Sequence, residues 1–498
     1  MSHVMFSSVV RAISQASNRS LAGSRIFMHA DFATIPPTHF LQAAQVWGMR
    51  ILTDPKDAAS CTIHLHNTYA TVDGEKIEYA QALKKSVSRL SARDQLERAY
   101  QAMPVVRQIT DELIAARTLQ GERIAISLII EPKTAILALE LQRAGAQVGI
   151  FATAAEVHQP VADELKARGI LVYADAQWNA QQEQKAALQL LDEVKPTIII
   201  DDGASFARLA SVERPNLVRQ LKGVAEETTS GIRAFQAMQD AGALTYPVIA
   251  SNDSELKTGF DNVHGTGESC VTTLLHVLGD DYAQHCAQMA VIGYGPVGRG
   301  FAQRMRSLGA QVVIVEQSAT AALKAQYEGF EVMPLAQAAR TSDCLISATG
   351  VYHTIDLETL QSLEDNTVLG VIGGISQEIA LDDLTQITGQ KIETAVDMTQ
   401  LDLGNGKHAR LIASGDGMNY TISGGNPIEI MDMSFAVQLN AVRMLAQDYE
   451  HLPHEIVRMD HTIDERIARS ALIARSTTID EPRTMVSDWT QTRFHTAQ

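Results

Sequence analysis

Residues 290–292 form a short apolar run that leads into Gly293-Tyr294-Gly295-Pro296-Val297-Gly298, after which residues 301–308 continue with helical spacing. Glycines at this spacing permit a tight turn and let backbone N–H groups and a helix N-terminus approach a pyrophosphate. The next apolar run, 311–315, ends in Glu316, whose carboxylate can accept both hydroxyls of a ribose and repels a 2′-phosphate. Together they point to bound NAD rather than NADP, and to hydride transfer. Other residues could move protons. Lys257 and Asp261 stand four apart, which on a helix makes either a surface ion pair worth about 0.3–0.5 kcal/mol or a working acid–base pair. Asp202 could cap a helix beginning near Ser205, and Glu227 could start another; both could equally serve a site. His64 and His66 share one face of a strand, a spacing that can hold a metal, but no third and fourth ligands are visible and no metal is expected. His29 with Asp31, and His39, read the same way, a polar edge being the plainer account.

These groups need strand ends to carry them. Between about residue 96 and residue 265, apolar runs at 123–130, 147–151, 170–173 and 197–200 alternate with helical spacing at 133–144 and 161–168. A second alternating block spans 266–425, with strands expected at 289–292, 312–315, 331–333, 344–346 and 368–372. Such βαβα repetition predicts an α/β fold of two doubly wound parallel-sheet domains, a substrate domain and a Rossmann domain. Residues 426–475 return to helical spacing (435–446, 463–474) and complete the first domain; 476–498 form a polar tail. Residues 1–95 read as a small α/β extension of their own. It has strand-like runs at 24–29 and 60–65 and a hairpin at Asp73-Gly74 between 69–72 and 76–79.

The balance of 41 Lys and Arg against 58 Asp and Glu, a net charge of −17, disfavours nucleic acid and anionic membranes, leaving a small molecule as the expected partner. Cys61, Cys270, Cys286 and Cys344 have no CxxC spacing and read as reduced thiols. No apolar stretch of about 18 residues occurs, and Met1-Ser2-His3-Val4-Met5-Phe6 does not open a basic and apolar leader. A cytoplasmic protein is expected.

The string Ser251-Asn252-Asp253-Ser254-Glu255-Leu256-Lys257-Thr258-Gly259-Phe260-Asp261-Asn262-Val263-His264-Gly265-Thr266-Gly267-Glu268-Ser269 resembles the N-D-S-x-x-K-x-x-F-D-N-x-x-G-x-x-E-S signature of the S-adenosylhomocysteine hydrolase family. Asp201-Asp202-Gly203 and Glu226-Glu227-Thr228-Thr229-Ser230-Gly231 resemble its D-D-G-G and E-E-T-T-T-G segments. Ala102-Met103-Pro104 and Ile463-Asp464-Glu465 extend the parallel over roughly residues 96–475, while the first 95 residues have no counterpart. The resemblance implies a redox-assisted elimination. NAD+ oxidises a nucleoside 3′-hydroxyl, the ketone acidifies the adjacent C4′–H, the 5′ substituent leaves, a nucleophile adds and the hydride returns. It implies Lys257 and Asp261 as the 3′-hydroxyl pair, with the Lys257 pKa lowered by the cationic nicotinamide. Asp202 and Glu227 become the sugar-side carboxylates. Thr228, Thr229, Ser230, Asn262 and Asn419 would touch the nicotinamide half of the cofactor. Thr349, at the mouth of the cofactor domain, belongs with them, and His353 beside it is a candidate for substrate contact. A homo-oligomer is implied as well.

The departures are patterned. The family's L-H-M-T-x-E-T-A aligns with Leu128-Ile129-Ile130-Glu131-Pro132-Lys133-Thr134-Ala135, so its histidine is Ile129 and its adenine-facing Thr and Glu are Glu131 and Lys133. The S-T-Q-D segment is absent between Phe151 and Val161. Two further histidine positions are Gly374 and Asn426, and the family's K-P-D-H-Y-R-Y ending is replaced. Cofactor and 3′ chemistry keep their residues, while recognition of adenine and of the leaving group does not. The expectation is an NAD-dependent enzyme acting on a nucleoside or sugar derivative other than S-adenosylhomocysteine. A simple dehydrogenase and a catalytically silent NAD-binding regulator are the alternatives.

Overall fold

The computed structural model describes residues 4–32, 37–80, 90–373, 377–392 and 397–481. Strands such as Ile198–Asp201 and Met289–Ile292 are apolar and buried along their whole length, the mark of parallel strands covered on both faces. One seven-stranded sheet runs in the order Ile456–Val457, Val248–Ala250, Gly223–Glu226, Ile198–Asp201, Arg123–Ser127, Gln147–Phe151, Leu171–Tyr173, with every pairing parallel. Its strand order reverses between Arg123–Ser127 and Ile198–Asp201, where an open sheet leaves a crevice for a ligand. The carboxyl ends there lead directly to Ile129, Asp202 and Glu227.

The second sheet runs Glu331–Val332, Val312–Val315, Met289–Ile292, Cys344–Ser347, Thr367–Val371, His408–Ile412, Met398–Asp402. It is parallel except for the Met398–Asp402 edge, which pairs antiparallel. The strand expectations hold to within a few residues, but Gly223–Glu226, Val248–Ala250, Met398–Asp402, His408–Ile412 and Ile456–Val457 escaped them. The long helix Ile428–Asp448 buries Met433, Val437 and Leu445 in the same cluster as Ile109 and Ile126 of the first domain, and Ile456–Val457 then adds a strand to its sheet.

The extension is a five-stranded mixed sheet, ordered Arg50–Leu52, Arg25–Met28, Ile63–Leu65, Tyr69–Val72, Glu75–Glu78. Its hairpin turns through Asp73 (φ 51°) and Gly74 (φ 83°), the twin positive values of a type I′ turn. The sequence leaves the helices Phe6–Ser17 and Pro37–Val46 unannounced, and they change the reading of this region. Val9, Ile13, Phe40 and Trp47 share one cluster with Val271, Leu274, Phe301 and Met305 of the cofactor domain, so the extension has no separate core. Arg11, fully buried, pairs with the Asp280 carboxylate, its Nη2 lying 2.8 Å from Oδ2. The Trp47 indole N–H donates to Ser307 Oγ at 3.0 Å.

Candidate active site

Each of the two paired-acid segments divides its labour. Asp201, not Asp202, serves the helix Ser205–Glu213, accepting from the backbone N–H of Phe206 at 3.3 Å and of Ala207 at 2.7 Å. Glu226 likewise accepts from the N–H groups of Gly203, Ala204 and Thr228 at 2.9–3.0 Å, and the Thr228 hydroxyl caps the helix Thr229–Asp240. Asp202 and Glu227 therefore carry no capping duty, and both line a cavity of about 720 Å³. Burial pushes the Glu227 carboxyl up to about 8 despite the opposing charge of Lys257, and burial raises Asp202 as well.

Lys257 and Asp261 enter the same cavity on the segment Leu256–Thr266, which winds as a π-helix with i→i+5 hydrogen bonds. The wide turn brings Lys257 Nζ within 2.7 Å of Asp261 Oδ2 and 3.0 Å of Asn262 Oδ1. The Lys257 and Asp261 side chains are only 8% and 2% exposed, which rules out a solvated surface pair. Asp261 also accepts from Asn426 Nδ2 and, at 3.3 Å, from Ser434 Oγ. Burial lowers the Lys257 pKa, but Asp261, Glu227 and Asp202 outweigh it and the net direction is upward. That direction comes from the chain's own groups alone, without the cationic nicotinamide from which the depression was expected.

The glycine loop fits a dinucleotide. Gly293 sits at φ 96°, and a Cβ on Gly298 would lie 2.0 Å from the Gly293 carbonyl oxygen, whereas a Cβ on Gly295 would meet nothing within 4 Å. Gly295 thus leaves open space for a pyrophosphate beneath the helix Pro296–Ser307. Glu316 follows Val312–Val315 and accepts from Tyr294 N–H at 2.7 Å and from Gln317 N–H at 2.7 Å, which aims it beside the loop. Gly295, Thr228, Thr229, Ser230, Asn262, Thr349 and Asn419 line the cavity, whereas Gly293, Gly298 and Glu316 do not. The fully buried Glu378 carboxylate accepts from Thr349 Oγ1 at 3.0 Å and from Ser347 Oγ at 2.6 Å behind the cavity wall.

Ile129, Glu131 and Asn426 also line the cavity, while His353 does not: Asp382 and Asp383 hold its ring from either side. Gly374 and most of the altered tail, 482–498, lie outside the described residues. Lys133 Nζ is bonded to Asn18 Oδ1 at 2.9 Å, Gly424 O at 2.7 Å and Glu131 Oε2 at 2.7 Å. Gln15, Ser17 and Asn18 reach the cavity wall on the end of the helix Phe6–Ser17, so the extension helps to build the pocket. Glu156 and His158 line it as well and were missed. Their backbones bracket Ile130 through bonds of 2.9 Å, next to Ile129. Burial and the nearby Asp202 raise Glu156 to about 7, and burial lowers His158. Their position just beyond the carboxyl end of Gln147–Phe151, where open sheets keep their ligands, was the available signal.

Two α/β domains, a dinucleotide loop and a buried cluster of one lysine and three carboxylates define an NAD-dependent enzyme. Comparison with known proteins gives its family. Residues 262–425 match the model "S-adenosyl-L-homocysteine hydrolase, NAD binding domain", and residues 84–214 match "S-adenosyl-L-homocysteine hydrolase". The adenosylhomocysteinase of Thermotoga maritima is 36% identical over 380 residues, covering 76% of this chain and 93% of that protein. That of Archaeoglobus fulgidus is 35% identical over 399 residues, 79% and 98% of the two chains. The S-inosyl-L-homocysteine hydrolase of Methanopyrus kandleri is 34% identical over 394 residues, 78% and 92%. The chain belongs to the S-adenosyl-L-homocysteine hydrolase family.

Proposed function

We propose that this enzyme oxidises a 3′-type secondary hydroxyl of a nucleoside or sugar derivative, drives elimination, addition or hydrolysis at the neighbouring position, and acts on a substrate other than S-adenosylhomocysteine. The observation that carries the reading is the convergence of Lys257, Asp261, Asp202 and Glu227 in one buried cavity beside Gly295 and Thr349. NAD, when bound, takes and returns the hydride. Lys257, steadied by Asp261 and Asn262, faces the hydroxyl and handles its proton. Glu227, with a pKa near 8, and Asp202 are poised to exchange a carbon-bound proton near neutral pH. Asn426 and Ser434 hold Asp261 in place rather than carrying protons.

The altered substrate is supported at the far end of the pocket. The oxygens of Glu131 receive Lys133 N, Lys133 Nζ, Thr134 N and Thr134 Oγ1. Lys133 in turn spends its ammonium hydrogens on Asn18, Gly424 and Glu131. Neither offers a free acceptor to an exocyclic amine, so a base without that group suits the site better than adenine. A relative named as an S-inosyl-L-homocysteine hydrolase agrees with such variation. The protein is read as a cytoplasmic homo-oligomer. Its cysteines 61, 270, 286 and 344 are free and buried, and among the described residues no helix is long and apolar enough to cross a membrane.

The test is to add ribosides, among them adenosine, inosine and their homocysteine thioethers, to purified protein and to follow NADH absorbance. The signal should arise with at least one riboside and vanish in Lys257→Ala. If no riboside or related polyol reduces the cofactor, the proposal is wrong. Solvent deuterium entering the carbon beside the oxidised centre, without net redox change, separates this chemistry from that of a dehydrogenase that releases its product.

A further inference from the structure

The extension carries a second constellation, and none of its members lines the cavity just described. Strands Arg25–Met28 and Ile63–Leu65 run parallel with Phe27 opposite His64 and Met28 opposite Leu65. One residue further on, His29 and His66 leave the two carboxyl ends side by side. Their imidazoles stack with centroids 3.9 Å apart and planes at 20°, and the Tyr69 ring stacks on His66 at 4.5 Å. Asp31, two residues past His29, brings Oδ1 to 3.7 Å from His66 Nδ1. One ligand atom from each of His29, Asp31 and His66 lies within 4.8 Å of the other two. The sequence paired His66 with His64; the structure instead joins it to His29 and Asp31 from the neighbouring strand end.

A hydrogen-bond chain orients the first of these rings. His64 Nε2 lies 3.1 Å from the Cys61 carbonyl oxygen, which can only accept, so this nitrogen carries the hydrogen. In neutral His64 the other nitrogen, Nδ1, is then an acceptor, and His29 Nε2 at 3.3 Å donates to it. His29 keeps its lone pair on Nδ1. A metal-binding histidine has this arrangement, with one nitrogen free to ligate while the other donates outward and fixes the tautomer.

We propose that His29, His66 and Asp31 bind a divalent cation of the zinc class, with His64 and the Cys61 carbonyl orienting His29. Two imidazoles and a carboxylate form a donor set suited to zinc. The His66 and Asp31 side chains are 19% and 59% exposed, which leaves the remaining coordination positions to water. A cation there ties the two strand ends to the loop that follows His29. The other His/Asp group, His353 with Asp382 and Asp383, lacks this feature, because a carboxylate faces each of its ring nitrogens at 2.7 Å and 3.5 Å.

The experiment uses untagged full-length protein stripped with a chelator, titrated calorimetrically with zinc chloride and analysed for bound metal after gel filtration. Wild-type protein takes up one equivalent saturably, and its thermal midpoint rises on doing so. His66→Ala abolishes both effects, and Asp31→Ala, at a 59% exposed side chain, weakens binding at least tenfold. His64→Gln weakens it by about 10–100-fold, as loss of an orienting partner does. His461→Ala, at an 84% exposed side chain elsewhere, binds as wild type does. The proposal is overturned if stripped protein takes up no zinc saturably, or if Asp31→Ala and His66→Ala both bind it with wild-type affinity.

Discussion

Replacing Lys257 by methionine removes the ammonium from among Asp261, Glu227 and Asp202 while keeping an unbranched chain of similar reach. Asp261, 2% exposed and 2.7 Å from that ammonium, is left as a buried carboxylate without its cation. Stranding one member of a buried pair costs about 3–5 kcal/mol. Asp261 retains hydrogen bonds from Asn426 and Ser434, so the lower end applies, about 3 kcal/mol or roughly two decades in the folding constant. At about 2–4 °C per kcal/mol for a domain of this size, the thermal midpoint should fall by roughly 6–12 °C.

The loss must also depend on pH. Lys257 is the main influence holding Glu227 and Asp202 down against burial, so both acids rise further when it is removed. A carboxyl whose folded pKa lies above its unfolded value lends stability at low pH and loses it as pH climbs through the folded pKa. For Glu227 in the wild type that window runs from the ordinary carboxylate range up to about 8; in the variant it extends higher. The deficit should therefore be smallest near pH 5 and should grow toward about pH 9. Thermal melts of cofactor-stripped protein at these two extremes measure it, and riboside-dependent NADH absorbance reads the chemistry in parallel. A variant as stable as wild type at high pH would refute the electrostatic reasoning. A destabilised variant that still reduces NAD at the wild-type rate would make Lys257 a structural cation and nothing more.

Glu316→Ala removes the carboxylate beside the loop, and hydrogen bonds to a charged group are worth about 1.5–3 kcal/mol, so NAD should bind about 10–150-fold more weakly with less discrimination against NADP, measured by fluorescence titration. Arg11→Met leaves Asp280 nearly buried and unpaired in a core shared with the cofactor domain; the expected cost is about 3 kcal/mol, seen as a single lowered melting transition rather than separate loss of the extension. Glu227→Gln, at a carboxyl raised to about 8 in the cavity, should leave riboside-dependent NADH formation intact and slow deuterium exchange at the adjacent carbon, followed by mass spectrometry.

The cofactor half of the site was legible because its physics is local. Gly293, Gly295 and Gly298 and the acid after the next strand fall within one strand–turn–helix–strand unit, from Met289–Ile292 through Pro296–Ser307 to Val312–Val315. The substrate half depends on strand ends that are distant in sequence. Ile129, Glu156, Asp202 and Glu227 meet because Arg123–Ser127, Gln147–Phe151, Ile198–Asp201 and Gly223–Glu226 are neighbours in one sheet. Spacing alone could not reveal that Glu156 and His158 close the wall beside Ile129. The extension was hardest to read, since Phe6–Ser17 and Pro37–Val46, which meet edge to face through Phe6 and Phe40, bury their apolar faces in one cluster with Gly267–Leu278 and Pro296–Ser307. A pattern that looks like a separate unit is thus the outer layer of another domain's core.

The paired acids explain how the rest could be misread. Taken singly, Asp202 and Glu227 look like helix caps, and caps are indeed needed at both places. Asp201 caps the first helix and the Thr228 hydroxyl the second, while Glu226 takes the N–H groups of Gly203, Ala204 and Thr228, and both buried carboxylates are pushed upward by burial. With the donors satisfied, the next residue in each pair stands one position beyond the strand and lines the cavity without bonding a helix terminus. The doubled acid at each strand end therefore carries the information: the first member builds the turn, and the second is presented by it. Either acid alone would have to do both jobs, accepting from two or three backbone N–H groups and meeting a substrate with the same oxygens.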